Sequence, residues 1–600
     1  MYRLKSVVLL TFFLSYGFSN ESKDYEIVTV VSSVPKAYTE TVIVVDKIDQ
    51  ELLDKTQPKN LSSLFREILA IDTSSNGGLG QLSSVFIRGS NSNHTLVKIN
   101  GIKINPSTAG GASIYNLDTD LISNIEIGYG PLSAIHGSSA IGGVVDISTK
   151  PIENQTQSAI GINVGPDNFE KKLLKLNYKL DDVGFLNLAA SKADTDGFPV
   201  LSNSTLDRGY KNNTLISNFQ IDSDLAEFDA SSWLAEGTIE YLVFGTPVSQ
   251  DYKNYANGIK IRDSIENAFF YNLNLNKSKD LIQQNDLNFL GQIDVTNTER
   301  DFIEFMLSNF TFIENSNQFI LGIDMENADV DYASFGTKYR EKIKTESFFT
   351  AMNLNLSKGS LTTSLRNSDH DRYGTNLSWN LELLREFNRN WRIGLSNSSS
   401  FRSPVSSELY GFGGNTNLKP EINKSTEINI KKIKKNSDLN LSLFRNNLTN
   451  LIDFDYQNYV LKNISEASNK GIEIRYRMNT ESWDLAILLR SQDPKDNNGN
   501  QLLRRSKRSG SLTLSRDLYG FLGTINLSLF SKRRDFGDIK LPAYSLVNLS
   551  FNKELNQKTK ISFKLENMLD KEYYTAATSN AFYMSQGRSI WFKLHYDLGR

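Results

Sequence analysis

Residues 125–150 read IEIGYGPLSAIHGSSAIGGVVDISTK, with five glycines in one short segment. Soluble enzyme cores seldom concentrate glycine in this way. The spacing predicts a strand over 124–128, a turn at Gly130-Pro131, a short helical turn over 132–135 stopped by Gly137, and a second strand over 142–147. The same texture holds upstream, where residues 84–105 read SVFIRGSNSNHTLVKINGIKIN. After residue 150 the chain changes to a long series of alternating stretches separated by Asn, Asp, Ser, Lys and Gly clusters, so a domain boundary is expected there.

The alternation is of period two. Ser511-Leu512-Thr513-Leu514-Ser515, Ile525-Asn526-Leu527-Ser528-Leu529 and Val547-Asn548-Leu549-Ser550-Phe551 each put one apolar and one polar face on a strand. A soluble β-sandwich and a membrane barrel give this pattern equally; length separates them. No helix-period segment interrupts the series long enough to suggest βαβ units. A barrel strand needs about 9–11 residues to span. At roughly 20 residues per strand with its turn, the chain after residue 150 has room for about 22 strands, the number at which lumens are plugged.

Composition agrees. The chain has 600 residues, 39% hydrophobic and 22% charged, and is neither disordered nor a helical membrane protein, since its mean hydropathy is -0.37. The aromatic fraction of 11% suits interfacial girdles around a polar lumen. With no cysteine, disulfides, thiolate metal sites and cysteine nucleophiles are excluded. A net charge of -2 excludes a strongly basic nucleic-acid binder, and the clusters KKIKK at 431–435 and RRSKR at 504–508 read as solvated turns open to anionic lipopolysaccharide. At the N-terminus, Arg3 and Lys5 precede an apolar run over 7–18, with Gly17 and Ser19 at signal-peptidase spacing. A signal peptide over 1–19 is expected, the run being too short for a spanning helix of about 20 residues.

The glycine-rich segments resemble the plug domain of TonB-dependent outer-membrane transporters. Further motifs in family order carry the resemblance through the C-terminal third: FRSPVSSELYGFGGNTNLKPE at 401–421, NNLTNLIDFD at 446–455, NISEASNKGIEI at 463–474, LENMLDKEYY at 565–574 and GRSIWFKLHYDL at 587–598. It is weakest over about 158–400. The resemblance implies an all-β transmembrane barrel of about 22 antiparallel strands over 151–600, with an N-terminal α+β plug over 35–150 in its lumen and a TonB box with linker over 20–34. Glu26, Ile27, Val28, Thr29, Val30 and Val31 look like that box, a short β-prone segment able to add as a strand to a partner's sheet edge. The alternative is a first plug strand paired within its own domain.

By the same resemblance the partners are TonB with its energising complex, outer-membrane lipid and lipopolysaccharide, and a transported ligand met from outside; the chain is expected to be monomeric and not an enzyme. The motifs stand closest to the cobalamin receptors of that family, a ferric siderophore or heme being the alternative cargo, and a barrel enzyme or passive porin the alternative class. Two glycine-rich apical loops are the candidate ligand surface, 76–83 with Asn76, Leu82 and Ser83, and 107–113 with Thr108, Ala109 and Gly110. No cofactor is obligatory; calcium is possible at Asp194 and Asp196 of a DTDG turn, with Asp207, Glu236 and Glu240 completing a shell.

Four residues depart from the family pattern. Tyr129 stands where Arg usually precedes the plug's Gly-Pro, leaving Arg88 as the candidate plug-to-barrel ion pair. Asn100 replaces an Asp and Asp146 an Asn, both swaps keeping turn chemistry. The chain ends Leu598-Gly599-Arg600 rather than on an aromatic, with Tyr596 the nearest. The histidines His94, His136, His370 and His595 are scattered and read as structural. Ser368 beside Asp369-His370-Asp371 is the nearest approach to a hydrolytic set, but neighbours along a strand face opposite ways.

Overall fold

The computed structural model describes residues 41–151, 156–180, 183–243, 245–265, 269–287, 290–309, 317–334, 336–455 and 457–599, and upstream of these only the backbone of Val28–Thr29 and Lys36–Ala37. The expected signal peptide and most of the 26–31 segment, Glu26, Ile27, Val30 and Val31, lie outside the described residues. Val28–Thr29 pairs antiparallel with Lys36–Ala37.

Two units follow. In the first, β1 (Val45–Ile48) leads into helices α1 (Gln50–Thr56) and α2 (Leu61–Leu69), the hairpin β2 (Asp72–Ser75) and β3 (Ser83–Phe86), then β4 (Thr95–Ile99), β5 (Ile102–Lys103), β6 (Asn124–Tyr129), helix α3 (Ser133–His136) and β7 (Gly143–Ser148). The glycine-rich reading of 125–150 thus gives its strand, helical turn and strand in order. Strands β1-β6-β7-β4-β5 form one sheet, antiparallel except for β4 beside β7. Asn60 caps α2 by accepting from the Ser63 N–H at 2.8 Å. Leu61, Leu64, Phe65, Ile68 and Leu69 of that helix bury against Ile125, Ile127, Val145 and Ile147 of the sheet.

The second unit is a closed antiparallel barrel of 22 strands, leaving aside the two-residue Lys495–Asp496. Its first strand, Gln157–Val164, closes on its last, Ser589–Gly599, with Ile162 opposite Leu594. Closure leaves no edge strand. Burial settles the choice that alternation alone left open. In Phe521–Phe530, Asn526 and Ser528 are 4% and 0% exposed while Ile525 and Leu529 are 45% and 43% exposed. A sandwich would bury the leucines; here the polar face is inside and the apolar face outside, which only a lipid surround stabilises. Among the described residues no helix is long and apolar enough to cross a membrane, so the crossing is made by strands.

Connections at one end are long, at 403–420, 493–507, 531–543 and 567–588; at the other they shrink to pairs such as 435–436, 519–520 and 557–558. Long loops mark the extracellular end and short turns the periplasmic one. The first unit fills the lumen. Lys431, near the periplasmic end of its strand, donates to the Thr41 carbonyl at 2.7 Å, while the plug loop at 107–113 meets 403–420 at the extracellular end.

Candidate functional site: the plug, its apical loops and its ionic seat

The plug is seated by charges that barrel alternation points inward. Arg88, fully buried, donates through Nη1 and Nη2 to both oxygens of Glu427 at 2.7 and 2.9 Å, and through Nη2 to Glu473 at 3.0 Å. Its guanidinium also lies 4.5 Å from the Phe444 ring centroid. This is the plug-to-barrel pair expected of Arg88. Glu473 further accepts from Arg475 at 2.8 Å and Arg490 at 2.7 Å. The family's missing arginine is replaced by an arrangement of opposite polarity: Tyr129 donates its hydroxyl to the plug's own Asp46 at 2.7 Å, and Asp46 receives Arg475 at 3.1 Å and Arg477 at 2.9 Å from the wall. Arg475 lies over the Tyr129 ring at 4.6 Å. Burial alone would raise the Asp46 carboxyl, but Arg475, Arg477 and the Tyr129 hydrogen bond hold it below its ordinary value.

Other departures fall on one turn. Asn100 sits at φ 51, accepts from the Thr149 N–H at 2.9 Å and donates to Thr149 Oγ1 at 2.9 Å, while Asp146 accepts from the Gly101 N–H at 3.3 Å. His94 is buried, with Nε2 3.0 Å from Glu421, a structural role as read. The basic clusters need correction: they are not merely solvated turns. Every second residue of a barrel strand faces the lumen, so Lys431 is buried on Thr41. Arg505, in the loop 493–507, is buried by the plug instead, donating to the Gly89 and Ser90 carbonyls at 3.3 and 3.1 Å with its guanidinium 4.2 Å from the Phe86 ring.

Both apical loops face the extracellular mouth. In 76–83 the Asn76 N–H donates to the Leu82 carbonyl at 3.0 Å, Ser83 is buried with its hydroxyl on the Gln81 carbonyl, and Leu82 stands 57% exposed. The glycines here serve the wall, not a ligand. A Cβ on Gly80, at φ 75, would come within 2.1 Å of the Tyr210 ring, one on Gly77 within 2.6 Å of Val200 and one on Gly78 within 2.9 Å of Phe198. In 107–113, Thr108 is buried with its N–H on Thr298 at 3.2 Å, Gly110 sits at φ 76, and Ala109 is exposed. Extracellular loop 403–420 continues this edge, Ser406 and Ser407 donating N–H groups to the Ser107 and Thr108 carbonyls at 3.1 and 2.9 Å.

Sequence reading passed over the aromatic wall beside these loops. Tyr339 packs 4.9 Å from Tyr332 and 4.7 Å from Tyr410, and Phe454 lies 6.0 Å from Phe412 and 6.4 Å from Tyr459. Phe412 and Tyr459 are 59% and 65% exposed. The available signal was length: strands such as Gln318–Ser334 and Thr337–Leu356 outrun the about 9–11 residues a crossing needs and carry side chains above the membrane.

The five acids proposed for calcium are not brought together. Asp194 alternates with buried Ala193 and Thr195 and so lies on the barrel's outer wall, paired with Lys211 at 3.4 Å. Glu236, likewise outward, pairs with Lys253 at 3.3 Å; Glu240 accepts the Gly209 N–H at 3.0 Å; Asp196 accepts Asn168 at 2.6 Å; Asp207 is exposed at its strand's start. Among the described residues no three acidic or histidine side chains group to hold a metal, so this donor set does not fit the ion. Ser368 hydrogen-bonds Ser347 and Arg366 while His370 contacts Asp371 at 2.9 Å, which is no nucleophile–base relay.

A closed 22-strand barrel, apolar outside and filled by a docked plug with loops at its mouth, defines an outer-membrane receptor-transporter. The chain belongs to the TonB-dependent receptor family: the family model described as "TonB dependent receptor-like, beta-barrel" matches residues 159–568, and "TonB-dependent Receptor Plug Domain" matches 38–144. It is similar to the vitamin B12 transporter BtuB of Vibrio vulnificus strain YJ016, 28% identical with 96% of each chain covered. Its fold is similar to that of the siderophore receptor PiuA from Acinetobacter baumannii (TM-score 0.78, 15% identity, 94% of this chain and 97% of that one). The ferripyoverdine receptor of Pseudomonas aeruginosa shares it too (TM-score 0.80, 13% identity, 95% and 88%). The protein's work is TonB-dependent transport across the outer membrane.

Proposed function

We propose that the transported ligand is cobalamin. The observation that carries this reading is the 28% identity to a vitamin B12 transporter along 96% of both chains, plug and barrel together. The apical surface is compatible: Leu82 and Ala109 are small or apolar exposed contacts on loops otherwise tied to the wall, as a broad, rigid macrocycle would meet. Ligand on these loops shifts the plug, the 26–31 segment pairs with TonB by strand addition, and pulling opens a path along the ionic seat. A ferric siderophore is the second reading, favoured by exposed Phe412 and Tyr459 at the mouth.

Equilibrium binding of cyanocobalamin to detergent-purified protein, with and without calcium and beside a ferric siderophore panel, tests the cargo. Tight cobalamin binding supports the reading; siderophore binding without cobalamin binding refutes it and leaves the transporter intact. Calcium-strengthened binding would bring calcium back through residues other than the outward-facing Asp194 and Glu236. For the energy step, Val28→Pro, which removes a strand donor, abolishes uptake while surface binding persists; retained uptake refutes the role of 26–31.

A further inference from the structure

One sector of the periplasmic rim collects cations that the transport reading does not use. Strands Gly359–His370, Gly374–Glu386, Trp391–Arg402 and Glu421–Lys434 stand side by side, and Lys358, Arg385, Arg389, Lys432, Lys434 and Lys435 lie on their periplasmic ends or turns. Among the described residues none of the six forms an ion pair. The sector's one partly exposed carboxylate there, Glu386, is held by Arg392 at 2.8 Å.

Three of the cations, Arg385, Lys432 and Lys434, point sideways into lipid rather than down into the periplasm. Arg385 alternates with buried Leu384, and Lys432 with buried Lys431, so both lie on the outer wall. Above them the same columns carry Leu383, Leu395 and Ile428, exposed to the hydrocarbon. At the lower margin of the apolar band Trp391 stands opposite Lys432 in register, with the ammonium 4.9 Å from its ring, and Arg385 lies one outward pair higher, opposite Ile393. Phe387 is 62% exposed beside it. An apolar band that ends in aromatic side chains and cations without acidic partners matches the passage of a leaflet from acyl chain to interface and phosphate.

We infer that this sector is a docking surface for anionic phospholipid headgroups of the inner leaflet, the phosphodiester lying among Arg385, Lys432 and Lys434 with its acyl chains on the Leu383–Leu395–Ile428 columns. A peptidoglycan carboxylate would approach from below, where these outer-wall cations do not point. The surface is independent of cargo and of TonB.

Native mass spectrometry of the full-length protein in phosphatidylglycerol and phosphatidylethanolamine mixtures tests it. Wild type retains phosphatidylglycerol preferentially. The variant K432Q/K434Q/K435Q loses that preference by about 100-fold, at about fivefold per cation near an anionic surface; R385Q/R389Q, on the strand Gly374–Glu386 and the turn after it, loses a similar share per charge and serves if the first fails to assemble. Removing three exposed cations of the extracellular hairpin, K338Q/R340Q/K342Q, leaves the preference intact. No preference in wild type, an equal loss in the extracellular control, or retention of soluble peptidoglycan fragments that depends on these lysines while lipid retention does not, would each overturn the assignment.

Discussion

Replacing Arg88 with Met should loosen the plug by a calculable amount. The guanidinium makes four charged hydrogen bonds, two to Glu427 and two to Glu473, at 2.7 to 3.3 Å. Once it is gone, Glu473 still has Arg475 and Arg490, but among the described residues Glu427 keeps only the neutral Asn429 amide, at 3.0 Å. The cost is therefore that of one stranded buried carboxylate, about 3–5 kcal/mol. At 1.4 kcal/mol per decade, plug opening rises by about two to three and a half orders of magnitude. Hydrogen exchange at the amides of β4 and β7, which the barrel itself does not supply, reads that opening. Adding Glu427→Gln to Arg88→Met removes the stranded charge and should recover most of the loss, a coupling that a double-mutant cycle isolates. Exchange within about threefold of wild type in the single variant, or a double variant no slower than the single, would refute the claim that this pair seats the plug.

Tyr129→Phe should cost about 1.5–3 kcal/mol of plug docking by the same exchange measurement, since it removes a donor to an ionised carboxylate. Tyr129→Arg, the residue usual in the family, should be worse, about 3 kcal/mol or more, because it sets a buried cation against Arg475 and Arg88; a stabilised plug would contradict the geometry. Asp46 has a lowered folded-state pKa, so its stabilisation is fully present above its unfolded value of about 3.9 and fades as pH falls through the lower folded value. Plug docking followed by tryptophan fluorescence should hold from pH 8 to 5 and weaken below about 4, and Asp46→Asn should remove Asp46's share of that dependence along with its docking energy, leaving the share of the carboxylates that hold Arg88. Gly80→Ala places a Cβ 2.1 Å from the Tyr210 ring at φ 75, so ligand affinity of the purified receptor should fall at least tenfold with barrel melting unchanged.

What the sequence discloses here is what repeats or is local. Alternation over many strands gives a barrel because each residue's face depends only on its parity, and the turn at Gly130-Pro131 and the stop at Gly137 depend on residues a few positions apart. Asp194 and Asp196 look like calcium ligands for the same local reason, and fail because parity puts Asp194 on the outer wall beside Lys211, a partner on the next strand. The glycines of 76–83 read as ligand contacts because their spacing shows room for a close approach without showing what approaches; Val200, Phe198 and Tyr210 do, from over a hundred residues away. The same limit governs the seat. Tyr129 in an arginine's place reads as a lost ion pair only if the barrel is assumed to keep its acid opposite. Instead the plug carries the acid at Asp46 and the wall carries Arg475 and Arg477, so the charge across this contact is reversed and the tyrosine is the neutral donor that a reversed pair can use. A substitution that breaks a family pattern at a docked interface is therefore informative about its partner, and the sign of that partner, more than about its own loss of function.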